Sequence, residues 1–248
     1  MNNLWLGIKF ALGYFTLLPV RFGDNEDLSS SAVLRSMLAS FPAIGALLAG
    51  LSILLFLLLE PLGWIGALLA AGSYMVLYGF LHTEAVIDVA DALHAAHGGK
   101  DPYAIIKEPT VGAMGVLYGT LFVLFKTAAL SSLLMHHHFA LFVAIAIISR
   151  LGLLVILSRF TFRSVFASQL GGALTLPLLS GLLAAYVLAG TLLLASTFPL
   201  WMAGGIAAAL LLALFMKRSL GFLNGDTLGA ALEGSELILI VGVLALWS

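Results

Sequence analysis

The sequence predicts an all-α fold, a polytopic integral membrane bundle of about seven or eight transmembrane helices. Of the 248 residues, 62% are hydrophobic and 9% are charged, whereas soluble domains carry roughly 45–50% apolar and about 25% charged residues. The mean hydropathy is +1.13, and long apolar runs at this composition are typical of helical membrane proteins. Neither an internal repeat nor a linker rich in proline, glycine or serine divides the chain, so we predict one domain over residues 1–248.

Charge and cysteine content exclude several classes of function. The net charge of −1 gives no electrostatic basis for binding nucleic acid, so no such partner is expected. Because the chain contains no cysteine, it has no disulfide framework, no thiol nucleophile and no thiolate metal site. The first apolar segment lacks the basic start and the small-residue cleavage site of a signal peptide, so we expect a retained membrane helix.

Eight segments approach the length of a membrane span, which needs about 20 mostly apolar residues. The final segment is short for a full span, which leaves seven or eight spans. The segments are 4–20, 37–59, 62–83, 113–135, 139–158, 172–197, 200–216 and 236–247.

The basic residues of the loops predict the orientation. Loops two, four and six, around Pro61, His136–His138 and Phe198–Pro199, contain no lysine or arginine. Because cytoplasmic loops carry an excess of basic residues, we predict that the odd loops are cytoplasmic and that the N-terminus lies outside. The basic residues of the odd loops are Arg21 and Arg35 in loop one, Lys100 and Lys107 in loop three, Arg159 and Arg163 in loop five, and Lys217 and Arg218 in loop seven.

An acidic stripe lies at the predicted cytoplasmic end of the third segment. Glu84, Asp88 and Asp91 are spaced i, i+4 and i+7, which places them on one face of a helix. Like charges at this spacing destabilise a helix, and a hard divalent cation with oxygen ligands would neutralise them. The stripe therefore predicts a metal site, and His82 lies just before it.

Two further stretches assigned to the cytoplasmic side carry candidate residues. In loop three, Gly112 and Gly115 form a G-x-x-G sequence, which suits either close helix packing or the approach of a phosphate to backbone N–H groups at a helix start. Near the C-terminus, Asp226 and Glu233 are seven residues apart, so they share a face if this stretch is helical. The two acidic segments form one site only if the fold brings them together.

Several stretches resemble cobalamin synthase, the adenosylcobinamide-GDP ribazoletransferase family. The family pattern H-x-D-G-x-x-D-x-x-D-G reads HTEAVIDVADA from His82 to Ala92, where Glu84 replaces the first aspartate and Ala85 and Ala92 replace the glycines. The longer acid keeps its charge, while the alanines remove backbone freedom. Other family patterns match Phe15–Val20 (F-T-x-x-P-V), Pro42–Gly45 (P-x-x-G), Lys107–Gly115 (K-D-S-x-x-G-x-x-G, here with Glu108 and Pro109) and Gly225–Glu233 (G-D-x-x-G-A-x-x-E).

The resemblance implies a Mg²⁺-dependent enzyme of the bacterial inner membrane, with its active site facing the cytoplasm. Its partners would be adenosylcobinamide-GDP and α-ribazole or α-ribazole 5′-phosphate, with release of GMP. Such a transfer depends on positioning and on neutralising phosphate charge. The expected roles are catalysis for His82, Asp88 and Asp91, metal binding for Glu84, Asp88, Asp91 and Asp226, and substrate or phosphate binding for Lys107, Gly112, Gly115, Arg150, Arg159 and Glu233.

Individual residues also have ordinary interpretations. His82 is alternatively an interfacial cap, Arg159 and Arg163 are alternatively topology anchors, and His136–His138 suits a solvated outer loop. Lys126 and Arg150 lie within predicted spans, where burying a charge is expensive, so we expect each to pair or to face a polar cavity.

Two other classes of membrane protein would also use a cluster of acidic residues. An ion-coupled transporter would use the acids to bind an ion, but transporter sites usually lie near the bilayer midplane between repeats, and here the acids gather at span ends. A lipid enzyme like the CDP-alcohol phosphotransferases would need D-G-x-x-A-R, which is absent. The sequence leaves open the lower-ligand base, the phosphorylation state of the nucleophile, contacts with membrane lipid, and association as a homo-oligomer or with other cobalamin-pathway enzymes.

Overall fold

The structure is a computed structural model that describes residues 2–23, 25–194 and 196–247. Within these ranges the regular structure is helical throughout, which confirms the all-α prediction. The helices are α1 (Asn3–Phe15), α2 (Ser31–Leu59), α3 (Trp64–Leu77), α4 (Leu81–His97), α5 (Pro102–Lys107), α6 (Ala113–Met135), α7 (Phe139–Arg159), α8 (Val165–Ala173), α9 (Leu176–Leu193), α10 (Phe198–Leu220) and α11 (Gly225–Trp247).

Six described helices are long and apolar enough to cross a membrane, namely α2, α6, α7, α9, α10 and α11. Helices α3 and α4 pass the same test together, although they are bent by 81° at their junction, so they could form a seventh span. The chain is therefore a multi-pass membrane protein. The last span is longer than the predicted segment 236–247, because α11 begins at Gly225. The second acidic cluster, which was expected to precede this span, therefore lies within it.

Helix α1 departs from the predicted topology. It has 13 residues, fewer than the roughly 20 that a span needs, and the hydroxyl of Thr16 donates to the carbonyl of Leu12 at its end, over 2.6 Å. Gly7 packs against the first turns of α2, whereas Phe15 lies further along α2 against Phe41, with ring centroids 4.1 Å apart. Helices α1 and α2 therefore start at the same end, and the prediction of an N-terminus opposite the odd loops is wrong.

The loops separate into two ends as the alternation of basic residues predicts. At one end, His137 of the fourth loop lies 3.4 Å from the carboxylate of Glu60 in the second loop. At the other end, the N–H of Arg163 in the fifth loop donates to the carbonyl of Leu223 in the seventh loop, over 2.7 Å. Tyr103 in the third loop also contacts Arg163, so the basic third, fifth and seventh loops share one end of the bundle.

Helix α7 is the central element, since 89% of its span is buried inside the protein. Helices α2, α10 and α11 pack around it. Gly45 allows the approach of α2, because a Cβ at this position would meet the carbonyl of Ala146 and the side chain of Arg150 on α7.

The bend between α3 and α4 directs the acidic stripe. Gly79 and Phe80 have φ angles of 64° and 55°, in the left-handed region that interrupts a right-handed helix and favours glycine. The chain resumes as α4 at Leu81, turned by 81° from α3. This turn brings His82 and the carboxylates of α4 to the end of the bundle that carries the basic loops.

Candidate active site

A cavity of about 260 Å³ opens at the end of the bundle that carries the basic loops. Three residues expected at the site line this cavity, namely His82 on α4, Lys107 on α5 and Asp226 on α11. Helices α1, α2, α7 and α8 complete its wall. The fold thus brings together residues that are more than a hundred positions apart in the sequence.

Close packing of α4 against α11 joins the two acidic segments. A Cβ at Gly229 would lie 2.7 Å from the Cβ of Ala85, so the helices can approach this closely only because position 229 is glycine. Asn224 fixes the start of α11, where its side-chain oxygen accepts from the N–H of Thr227 over 3.0 Å. Its amide nitrogen donates to the carboxylate of Asp226 over 2.7 Å, which orients Asp226 beside α4.

Asp88 lies at the centre of the acidic stripe and is partly buried. Its carboxylate is repelled by Asp226, Glu84 and Asp91 and attracted by Lys107. Within residues 2–23, 25–194 and 196–247, no three His, Asp or Glu side chains form a group that could hold a metal ion by themselves. The four carboxylates predicted to bind metal, Glu84, Asp88, Asp91 and Asp226, therefore do not form one such group in this structure.

The carboxylate of Asp91 binds the G-x-x-G turn, which was a candidate phosphate site. The N–H groups of Gly112 and Gly115 donate to its two carboxylate oxygens over 2.7 and 2.6 Å. An anion at a helix N-terminus is stabilised by the free N–H groups and the helix dipole, and here that anion belongs to the protein. The N–H groups of Gly112 and Gly115 are therefore bonded to Asp91 and are not free to bind a substrate phosphate. These hydrogen bonds anchor α6 to α4.

Replacing Gly115 with alanine is expected to lower the free energy of unfolding by about 1–3 kcal/mol, the usual cost of overpacking a core. A Cβ at this position would collide with the carboxylate of Asp91 and with Ile87. Thermal unfolding of the detergent-solubilised protein measures the loss. Gly181→Ala on α9 is the matched control, because a Cβ there meets nothing within 4 Å. Equal unfolding temperatures for the two variants would contradict the anchoring role.

Arg150 and Glu233 lie in a buried ionic network and not in the cavity wall. Their exposed fractions are 1% and 0%, so the expectation that they contact substrate phosphate is not supported. The network confirms the prediction that Lys126 and Arg150 are paired. It consists of Lys126 on α6, Ser149 and Arg150 on α7, Glu233 and Glu236 on α11, and the hydroxyls of Tyr74 and Tyr78 at the end of α3.

Arg159 and Arg163 both lie at the protein surface. Arg159 ends α7 and is exposed, and it is not among the described residues of the cavity wall. Arg163, expected to be a topology anchor, stacks on the ring of Tyr103 with its guanidinium carbon 3.6 Å from the ring centroid. Lys107 lies over the same ring at 5.9 Å, so two cations flank Tyr103 at the edge of the site.

Sequence reasoning missed two polar residues of the cavity wall, Tyr14 and Ser164. Tyr14 lies near enough to Asp226 to interact with its charge. Neither residue belongs to a charged cluster, and Tyr14 lies on a helix that was expected to cross the membrane. The signal that could have drawn attention to Tyr14 is a polar side chain within a predicted span, and Ser164 carries no such signal.

The fold and the cavity define a helical integral membrane protein with an acidic site at one membrane surface. The family model described as cobalamin-5-phosphate synthase matches residues 7–244. The chain belongs to the cobalamin-5-phosphate synthase family.

Curated relatives align over nearly the whole chain. An adenosylcobinamide-GDP ribazoletransferase of Geobacillus thermodenitrificans is 31% identical over 96% of this chain and 95% of its own length. Proteins of the same name are 32% identical in Geobacillus kaustophilus, over 96% of this chain and 95% of the relative, and 31% identical in Shigella flexneri, over 94% and 97%. No solved structure matches the chain.

Proposed function

We propose that this protein catalyses the adenosylcobinamide-GDP ribazoletransferase reaction of cobalamin biosynthesis at the cavity between α4 and α11. Membership of the cobalamin-5-phosphate synthase family and the names of its relatives support the activity. The observation that carries the proposal is the convergence of His82, Lys107 and Asp226 in one cavity, with Asp88 close enough to interact with the charges of Asp226 and Lys107.

The reaction is a transfer of a substituted phosphoryl group to an alcohol. The hydroxyl oxygen of α-ribazole, or of α-ribazole 5′-phosphate, forms a bond to the phosphorus atom that carries cobinamide. The bond from that phosphorus to the GMP oxygen breaks, and its electron pair leaves with GMP. The nucleophile must lose one proton, and catalysis requires that this proton is accepted and that the phosphate charge is neutralised.

His82 accepts the proton of the attacking hydroxyl in this proposal. Its side chain lines the cavity, and aromatic rings hold its plane. The centroids of Tyr78, Phe15 and Phe41 lie 5.8, 6.0 and 6.2 Å from that of the imidazole. A general base held at a fixed position within reach of the nucleophile typically contributes 10²–10⁴-fold to the rate.

Asp88 and Asp226 would hold Mg²⁺, since one or two carboxylates usually suffice when substrate phosphates and water supply the remaining oxygens. The carboxylates of Asp88 and Asp226 lie close enough to interact electrostatically, and a cation bound by both would relieve the repulsion between them. When bound, Mg²⁺ neutralises charge on the transferring phosphate. Lys107 supplies a positive charge at the same cavity, and Asp91 positions α4 against α6.

We place the cavity on the cytoplasmic side of the bacterial inner membrane. The cavity lies at the end of the bundle that collects Arg163, Lys107 and the other basic loop residues, and such residues concentrate on the cytoplasmic side. In this proposal adenosylcobinamide-GDP is a charged nucleotide conjugate, and it reaches the site from water at that face.

The test is an assay of the purified protein in detergent with adenosylcobinamide-GDP and either α-ribazole or α-ribazole 5′-phosphate. GMP release and the mass of the corrinoid product report turnover. We expect product with Mg²⁺ and none after chelation of divalent ions, with recovery when Mg²⁺ is restored. Absence of product with both nucleophiles, from protein shown to be monodisperse and folded, would contradict the proposed activity.

A further inference from the structure

Two adjoining cavities lie on the outer side of α4, away from His82 and Asp226. The first is a groove of about 410 Å³ between α4, α6, α10 and α11, with walls formed by side chains such as Val86, Phe122 and Leu212. Apart from the hydroxyl of Tyr118, the described side chains that line it are apolar. Its volume lies within the range of about 300–1,000 Å³ that is typical of ligand sites.

The second cavity, of about 360 Å³, continues the groove toward the C-terminal end of α4. The two share Ala90, Leu93 and Tyr118 as lining residues, and the second adds His94 and His97. These histidines are three residues apart on α4, so they lie on one face of the helix. The combined channel is therefore apolar along most of its length and carries two imidazoles at one end.

The apolar part of the channel faces the bilayer. Phe125 on α6 and Phe215 on α10 are 60% and 53% exposed, and both helices qualify as membrane spans. The hydrocarbon core of a membrane contains no water, so hydrocarbon must fill a groove at this position. The imidazoles lie toward the loop that follows α4, at the end of the bundle that carries the basic loops, where lipid headgroups are found.

We propose that this channel binds one phospholipid molecule. An acyl chain lies in the groove between α4, α6, α10 and α11, and ring N–H groups of His94 and His97 donate hydrogen bonds to the headgroup phosphate. The channel is apolar within the membrane and offers hydrogen-bond donors at the membrane surface. This arrangement matches a phospholipid, whose apolar acyl chains lead to a phosphate headgroup. The lipid would contact the outer face of α4, the helix that carries Asp88.

Photolabelling of the wild-type protein in nanodiscs tests the site. The probe is a phosphatidylglycerol with a photoactivatable group in one acyl chain, and a diacylglycerol with the same chain is the comparison. We expect the phospholipid to label peptides from the groove walls on α4, α6 and α10, and to do so more strongly than the diacylglycerol. Labelling spread evenly over all spans, or equal labelling by both probes, would overturn the proposal.

Ala90→Trp places a large ring where the two cavities meet and should lower phospholipid labelling of the groove about tenfold, the change that corresponds to 1.4 kcal/mol of affinity. Gly72→Trp is the matched control, because Gly72 lines a comparable apolar groove of about 490 Å³ whose described lining residues include no charged or histidine side chain.

The double variant His94→Ala/His97→Ala should lower labelling by phosphatidylglycerol to the level of diacylglycerol while leaving the latter unchanged. Unchanged phospholipid labelling in this variant, together with unchanged labelling in Ala90→Trp, would contradict the proposal. The labelling readout does not depend on ribazole transfer, so this result is independent of the proposed enzymatic activity.

Discussion

Replacing Asp88 with asparagine is expected to lower kcat/KM for ribazole transfer by about 10²–10³-fold, the loss usually seen when one electrostatic stabiliser of a transition state is removed. Asparagine keeps the shape of the side chain but removes its negative charge. Asp88 interacts with Asp226, Glu84 and Asp91, so this substitution removes the carboxylate at the centre of the proposed Mg²⁺ site. GMP release measured over a range of Mg²⁺ concentrations reports the effect.

A stability measurement separates a catalytic role of Asp88 from a structural one. Because Asp88 is repelled by three neighbouring carboxylates, Asp88→Asn should not lower the unfolding temperature in the absence of divalent ions. Mg²⁺ should raise the unfolding temperature of the wild-type protein, as any ligand of the native state does, and this increase should shrink in the variant. Asp27→Asn in the exposed first loop is the control and should leave both properties unchanged.

Undiminished turnover in Asp88→Asn would remove the acidic stripe from the mechanism. A parallel loss of stability and activity would instead make Asp88 a structural residue. The proposal requires that Asp88→Asn lowers both turnover and the increase in unfolding temperature caused by Mg²⁺. The unfolding temperature without the ion must be unchanged or higher.

Glu236→Gln is expected to cost about 3–5 kcal/mol of stability, the effect of removing one partner from a buried ion pair. Glu236 contacts both buried cations. The ammonium nitrogen of Lys126 lies 3.0 Å from one carboxylate oxygen, and the guanidinium of Arg150 forms an ion pair with the other. The hydroxyl of Ser149 also donates to it over 2.9 Å. Without this carboxylate, two cations would share only Glu233, and one positive charge would remain uncompensated in the core.

A double-mutant cycle isolates the charge imbalance from the loss of packing. Arg150→Met alone also leaves an unequal number of charges, whereas Arg150→Met with Glu236→Gln leaves Lys126 paired with Glu233 and the network neutral. We therefore expect the double variant to lose less free energy of unfolding than the sum of the two single losses. Thermal or denaturant unfolding in one detergent measures all four proteins. Additive losses would show that Arg150 and Glu236 act independently.

Local patterns in the sequence predicted much of the local structure. The spacing of Glu84, Asp88 and Asp91 predicted one helix face, and α4 runs unbroken from Leu81 to His97. The cost of burying a charge in a membrane predicted that Lys126 and Arg150 would be paired. Both inferences depend on neighbours within a helix turn or on the apolar surroundings of a segment, which the sequence shows directly.

The Gly-x-x-Gly turn shows where such patterns stop. Packing and phosphate binding both suited Gly112 and Gly115, because small residues and free N–H groups serve either purpose. In the structure their N–H groups donate hydrogen bonds to Asp91, which lies twenty-one and twenty-four positions earlier in the sequence. The occupant of a helix N-terminus depends on which helix lies opposite it, and the residues of the turn do not encode that.

By itself, the sequence determined that this protein is a multi-pass helical membrane protein with an acidic stripe on one helix, because composition and periodicity report burial and helix faces. Only the tertiary structure decided that α1 does not cross the bundle, that Glu233 lies in the ionic core and that Asp226 joins Asp88. Each of these outcomes depends on steric fit between distant segments, as at Gly229, where the absence of a Cβ lets α11 approach Ala85. Helix periodicity shows which residues share a face, but which two faces meet is decided by packing.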